Sequence, residues 1–425
     1  MKQKIIENIE NPQVLERLYR EDKSGFTNEF MGLYPEFKDS PLAQFWQIRL
    51  QGEILTEGKE EDLPDTQNIT PAGKFDLIYT VIAGLVCGTI FKIPQIFGIN
   101  AQNFITDNIA FTVLPALALF YLLKFDAERK KYFIIFSVIL TGVLYMNLLP
   151  WQDGSQTRML SAIHFLFIMW VLLGAAYVNF DISSRRARML FLKRNGDTFV
   201  LTGVIICAGM LLTMLSVAMF GVIKVRIDNI LGDYVVVYGL ASAPLVANYM
   251  IESSPKIINK VAPFISKLFT PLMLIVMTGF LIALIFFAKD PFNNREELIV
   301  FNVLLGANIA VIVFTFSGNS ENHKSVYNKI LLLLSMEAMI INSIALSAIV
   351  YRLFSFGVSP NRIAVLGANL LLFANLILIT IKLIQFVRNK AAAENVENGM
   401  TVMLPYYAVW AVIVAMLMPV FLWFK

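Results

Sequence analysis

Histidine and cysteine are nearly missing from this chain, with two of each among 425 residues. Metal cages, disulfide frameworks and histidine-based active sites need clusters of these side chains, so all three are nearly excluded as the basis of function. Charge is scarce as well: Asp, Glu, Lys and Arg make up 16% of the residues, against about a quarter in an ordinary soluble domain. No phosphate cradle or dinucleotide fingerprint occurs, and Lys74 in PAGKF lacks the glycines and hydroxyl such a cradle uses. ATP-driven work by this chain alone is excluded, and no cofactor is implied. A GxSxG nucleophile elbow is missing too. The opening MKQKIIENIENPQ holds two lysines with no apolar run behind them, so no signal peptide is expected.

Apolar surface is abundant. Hydrophobic residues account for 57% of the chain, with 34 Phe and 18 Met, and the mean hydropathy is +0.65. A bilayer-crossing helix needs about 20 mostly apolar residues. Such segments fall near residues 75–97, 104–124, 132–150, 159–180, 198–222, 230–250, 267–288, 298–317, 328–351, 361–385 and 402–424. The expected fold is therefore all-α and polytopic, with about eleven transmembrane helices and a small N-terminal helical domain in the cytoplasm. Lys and Arg in the short loops set the orientation: an inward N-terminus puts 17 of them on the cytoplasmic side and nine on the other. The N-terminus is expected inside and the C-terminus outside.

Residues 1–74 carry nine Lys/Arg and 14 Asp/Glu, and the remaining residues 26 and 17. An acidic soluble part thus precedes a basic membrane body, whose positive charges sit between apolar runs and form no continuous stripe for nucleic acid. Within 1–56, Asn11-Pro12 and Ser40-Pro41 read as helix starts. Val14, Leu15, Leu18 and Tyr19, then Leu42, Phe45, Trp46 and Leu50, recur at helical spacing, and Phe26, Phe30 and Tyr34 add a third apolar contribution. This domain either engages a cytoplasmic protein partner or caps its own membrane body. Residues 57–74 are acidic, non-periodic and contain Pro and Gly, the composition of a linker. Membrane domain 75–425 follows.

Polar residues inside hydrocarbon are costly and need partners. Glu337, in ILLLLSMEAMIINSIALS, is the one acidic residue deep in an apolar run, a candidate for substrate or proton handling or for a bond between helices. Asn308 and Asn369 share the triplet Gly-Ala-Asn and read as cross-helix hydrogen bonders or as substrate contacts. Gly84 and Gly88 make a small-residue face for close helix packing. At 100° per residue Lys256, Lys260 and Lys267 share one side of an interfacial helix, which marks them as candidate contacts for anionic lipids, or as an ordinary basic flank. The run RRARMLFLKR spreads its charges around a helix and reads as flank. His164 and His323 lie too far apart for a shared metal, and Cys87 and Cys207 read as small apolar packers.

Three stretches, PFISKLFTPLMLIVMTGFLIAL, YRLFSFGVSPNRIAVLGANLLLF and PYYAVWAVIVAML, resemble in order and spacing a bacterial family of multi-pass proteins known as domain of unknown function 4153. The resemblance spans residues 75–425 and is most specific at Phe356–Arg362, where Gly357 permits a tight turn, Pro360 starts a helix and Arg362 can reach the head groups. It implies a bacterial inner-membrane location and no particular chemistry. Transport or lipid and small-molecule handling is the first function expected, a membrane-anchored sensor or scaffold the second. An intramembrane transferase would need acidic residues on an outer loop, where the first such loop offers little beyond Asp107.

Overall fold

Two compact units, Met1–Ile69 and Thr70–Lys425, make up the chain. The computed structural model describes residues 2–21, 23–38, 40–57, 73–149, 151, 154–222, 227–253, 268–282, 295–317 and 326–423.

The first unit holds four helices, α1 (Lys2–Glu7), α2 (Pro12–Glu21), α3 (Lys23–Leu33) and α4 (Pro41–Glu57). Asn11 Oδ1 accepts from the backbone N–H of Gln13 and Val14, and Ser40 Oγ from that of Ala43, so each prolyl start has a capping side chain. Leu15, Leu18, Tyr19, Phe26, Phe30, Leu33, Trp46 and Leu50 form its core. Trp46 lies 5.1 Å from Phe26 and 5.4 Å from Tyr19, centroid to centroid. Arg49 covers the Trp46 ring at 4.6 Å while its guanidinium binds Glu16 at 2.7 Å. Phe45 departs from the expected apolar face: it is 58% exposed. The stripe Ala43, Trp46, Leu50 takes the core side, and Phe45 stands 100° away from Trp46.

The second unit is an all-α polytopic membrane domain. Among the described residues nine helices are long and apolar enough to cross a bilayer, and shorter apolar helices at Leu268–Ile282 and Phe301–Ser317 fall within the seventh and eighth expected spans. In order they are α5 (Lys74–Phe97), α6 (Ala101–Asn108) with α7 (Val113–Lys124), α8 (Arg129–Leu148), α9 (Gln156–Tyr177), α10 (Arg185–Val222), α11 (Leu231–Ser253), α12 (Leu268–Ile282), α13 (Arg295–Ser317), α14 (Val326–Phe356), α15 (Pro360–Val387), α16 (Ala393–Thr401) and α17 (Leu404–Val412).

Several spans are broken where the sequence suggests continuity, and two of the breaks lie beside a proline. The second span splits into α6 and α7 across a 3-10 turn at Ile109–Phe111, which leaves Pro115 in the first turn of α7, where its missing N–H is no loss. Thr112 Oγ1 donates to the Ile109 carbonyl there. Beyond α17 the chain passes through a π-helical turn, Ile413–Leu417. Pro419 lacks the N–H that would reach back to Ala415. Ser161 donates its hydroxyl to that carbonyl at 2.8 Å, and Tyr145 donates to Met416. A freed backbone group at membrane depth needs a substitute partner, and these hydroxyls supply it.

Two apolar cores result. One is built on Cys87, Leu117, Phe120, Tyr121, Met146, Phe165, Leu173, Phe191 and Leu245, from α5 and α7–α11. The other comprises Met277, Phe301, Leu305, Ile312, Leu331, Leu334, Ile341, Leu376 and Phe386, from α12–α15, closed by Val396 and Met400 of α16. Helix α10 belongs to both, through Phe191 and through Met189. The glycine face of α5 is met by α11: a Cβ on Gly84 would lie 2.8 Å from Ser242 Cβ, and one on Gly88 would overlap the Tyr238 ring. Cys87 is buried, but Cys207 is exposed on the outer face of α10, contrary to its reading as a packer.

Candidate functional site

The most elaborate polar assembly joins helices whose charged residues look, one at a time, like loop flanks. Tyr121 and Lys124 sit three apart in the last turn of α7, and Asn248 and Glu252 four apart at the end of α11, so each pair shares a helix face. Arg194 projects from the third turn of α10. Glu252, 2% exposed, accepts Lys124 Nζ at 2.5 Å on Oε2 and the Arg194 guanidinium on Oε1. Arg194 Nε donates to the Tyr121 hydroxyl at 3.2 Å, which donates to Asn248 Oδ1 at 2.5 Å. Tyr177, at the end of α9, packs edge-on against Tyr121 at 5.0 Å. A cavity of about 20 Å³ among Tyr121, Tyr177, Arg194, Asn195, Thr198 and Asn248 has room for one water. Two cations share one carboxylate, and Asp197, one turn beyond Arg194, lies close enough to feel its charge. Arg194 is therefore no plain flank.

Near the other end of α9, Arg158 grips Asp107 of α6 with Nε at 2.9 Å and a terminal nitrogen at 2.5 Å. Asp107 is 7% exposed, an interior ion-pair partner and not the sparse loop residue the sequence suggests. Asn108 and Asn147 exchange amide hydrogen bonds beside it. Lys92 of α5 lies 4.0 Å from Asp233 and 4.4 Å over the Tyr234 ring of α11.

The sequence-derived candidates gather in the second bundle. Glu337 stands midway along α14, where its Oε1 accepts the Thr278 hydroxyl of α12 at 2.7 Å and its Oε2 is buried without a partner. Asn369 donates to Asn302 of α13 at 2.7 Å and to the carbonyl of Val365. Asn308 is fully buried and neither amide atom is bonded. No hydrogen bond joins these three residues to one another. Lys256, Lys260 and Lys267 lie outside the described residues, as does His323. His164 Nδ1 faces the Leu160 carbonyl one turn earlier at 2.8 Å. Arg362 donates to the carbonyls of Phe356 and Gly357, while Gly357 takes φ +76 and Ser359 caps α15.

Sequence reasoning passes over Asn342 and Asn375. Asn342 is fully buried with both amide atoms unbonded, and Asn375 donates to the Tyr407 hydroxyl with its Oδ1 left over. Among the described residues no group of three His, Cys, Asp or Glu could hold a metal ion. Chemically the arrangement offers a half-satisfied carboxyl on α14 and a separate cation-rich lock where α7, α10 and α11 meet. No known protein family, curated protein or solved structure matches the chain.

Proposed function

We propose that this membrane protein moves or handles a lipid or small molecule, coupled to protonation of Glu337 and with no ATPase of its own. The observation that supports this is the half-satisfied carboxyl: one oxygen held by Thr278, the other buried and unpartnered in the middle of a 31-residue apolar helix. An unmet carboxyl oxygen in hydrocarbon is costly unless it takes up a proton, a water or a ligand. Two apolar cores linked through α10 fit the same reading, since carriers work by rocking one bundle against another. We place the protein in a bacterial inner membrane with its N-terminus inside, from the charge split and from the resemblance to domain of unknown function 4153.

Glutamine keeps the shape and hydrogen bonding of Glu337 but cannot ionise; alanine removes both. Glu337→Gln is expected to leave expression and melting temperature unchanged while failing to complement a gene knockout, and Glu337→Ala to fail likewise. A Gln variant that complements fully would overturn the reading. The sensor alternative draws on the separate core of residues 1–56, and deleting residues 1–60 separates the two, since a carrier keeps its flux and a sensor loses its output.

A further inference from the structure

Helix α10 enters both apolar cores, through Ala187 and Phe191 on one side and through Met189 on the other, sides that lie ~160° apart at 3.6 residues per turn. Two seams run along the helix between them. One carries Arg186 and Lys193, seven residues apart and so on one face, and Glu397 of α16 lies close enough to feel both charges. The other carries Arg188 and, seven residues on, Asn195. Arg188 is half-buried, its Nε is buried without a partner, and no carboxylate among the described residues pairs with its guanidinium. The charge it does feel is that of Arg185, one turn back. Asp181, just ahead of the helix, accepts from the Ser183 hydroxyl and the Ser184 N–H instead.

Three unfavourable terms therefore meet at one guanidinium. It offers N–H donors and no acceptor, so a buried unbonded nitrogen is a loss. A like charge three residues away on a helix repels it, and the N-terminal end of a helix is the positive end. A bound anion relieves all three, and the place of the pair says which kind. Phe191 packs on Trp170 at 5.2 Å and on Tyr177 at 5.9 Å, so the start of α10 lies beside the last turns of α9, where a bilayer span ends and head groups begin. Leu192, one turn beyond Arg188, touches both cores, and Phe199, two turns further along the same seam, is 80% exposed. An apolar track thus leads away from the cations. We propose that Arg185 and Arg188 bind the phosphate of one anionic phospholipid, whose acyl chains lie along this seam of α10. Arginine forks match phosphate geometry, and basic pockets between membrane helices recognise anionic head groups in this way. Occupancy of the site does not depend on the role given to Glu337.

Native mass spectrometry of the full-length protein in detergent, titrated with phosphatidylglycerol or with zwitterionic phosphatidylcholine, tests this. The first phosphatidylglycerol is expected to bind several-fold more tightly than the first phosphatidylcholine. Arg185→Gln with Arg188→Gln is expected to weaken it about tenfold, the loss of charge-assisted hydrogen bonds to one phosphate. Arg388→Gln with Lys390→Gln removes the same charge from exposed positions after α15 and is expected to leave that affinity unchanged. Equal weakening by the two pairs would mean general attraction to a basic flank and overturn the proposal, as would a first phosphatidylglycerol held no more tightly than phosphatidylcholine. Inorganic phosphate at the same concentration is expected not to compete; full displacement would mean a site for free phosphate and overturn the assignment to lipid. Should the double variant fail to fold, Arg185→Gln alone, at an exposed position, is read against Arg388→Gln in the same way.

Discussion

Glu252 illustrates how unequal the members of a buried charge cluster are. Removing its charge with Glu252→Gln leaves Lys124 and Arg194 facing each other with no carboxylate between them, whereas Lys124→Met leaves the carboxylate still bound by Arg194. Breaking a buried pair so that a charge is stranded costs about 3–5 kcal/mol. Glu252→Gln is expected to approach that loss, and Lys124→Met to cost distinctly less, read as melting temperatures of the purified variants. Equal losses would mean that Arg194 alone does not compensate Glu252. The cluster was hard to read beforehand because its charges are 58 to 128 residues apart in the chain and each stands where a flank would put it. The one legible trace was the spacing of Tyr121 with Lys124 and of Asn248 with Glu252 on single helix faces. Glu337, by contrast, was visible because its own neighbours are apolar.

At the scale of helices, close approach is set by what is small. Gly88 lets α11 lay Tyr238 against α5, and the Tyr238 hydroxyl pairs with Thr89 at 3.1 Å. Gly88→Ala inserts a methyl into that ring and is expected to cost about 1–3 kcal/mol, the usual penalty of overpacking. Trimming the ring with Tyr238→Leu should relieve most of it, so the double variant is more stable than the two single losses predict. Additive losses in a double-mutant cycle would show that the contact is not what limits the approach. Helix existence was legible because apolar runs of this length have few alternatives. The breaks at Pro115 and Pro419 were not, since Pro94 and Pro244 sit inside unbroken helices, and at Pro419 the freed carbonyl is met by a hydroxyl from another helix, Ser161.

For the whole molecule the orientation is the most exposed expectation, resting on loop charges alone. In a Cys87→Ala, Cys207→Ala background, cysteine at Ser183, between α9 and α10, is expected to be shielded from an impermeant thiol reagent in intact cells, and cysteine at Ala101, at the start of α6, to react. The opposite pattern would invert the protein. The contact between α7, α10 and α11 at Glu252 also orders events during synthesis. Lys124 and Arg194 leave the ribosome before the residue that neutralises them, so two cations wait at the edge of the bilayer until residue 252 follows. The contact between α7, α10 and α11 can close only then, and the first core is complete later still, when Ala415 and Met416 arrive to meet Ser161 and Tyr145.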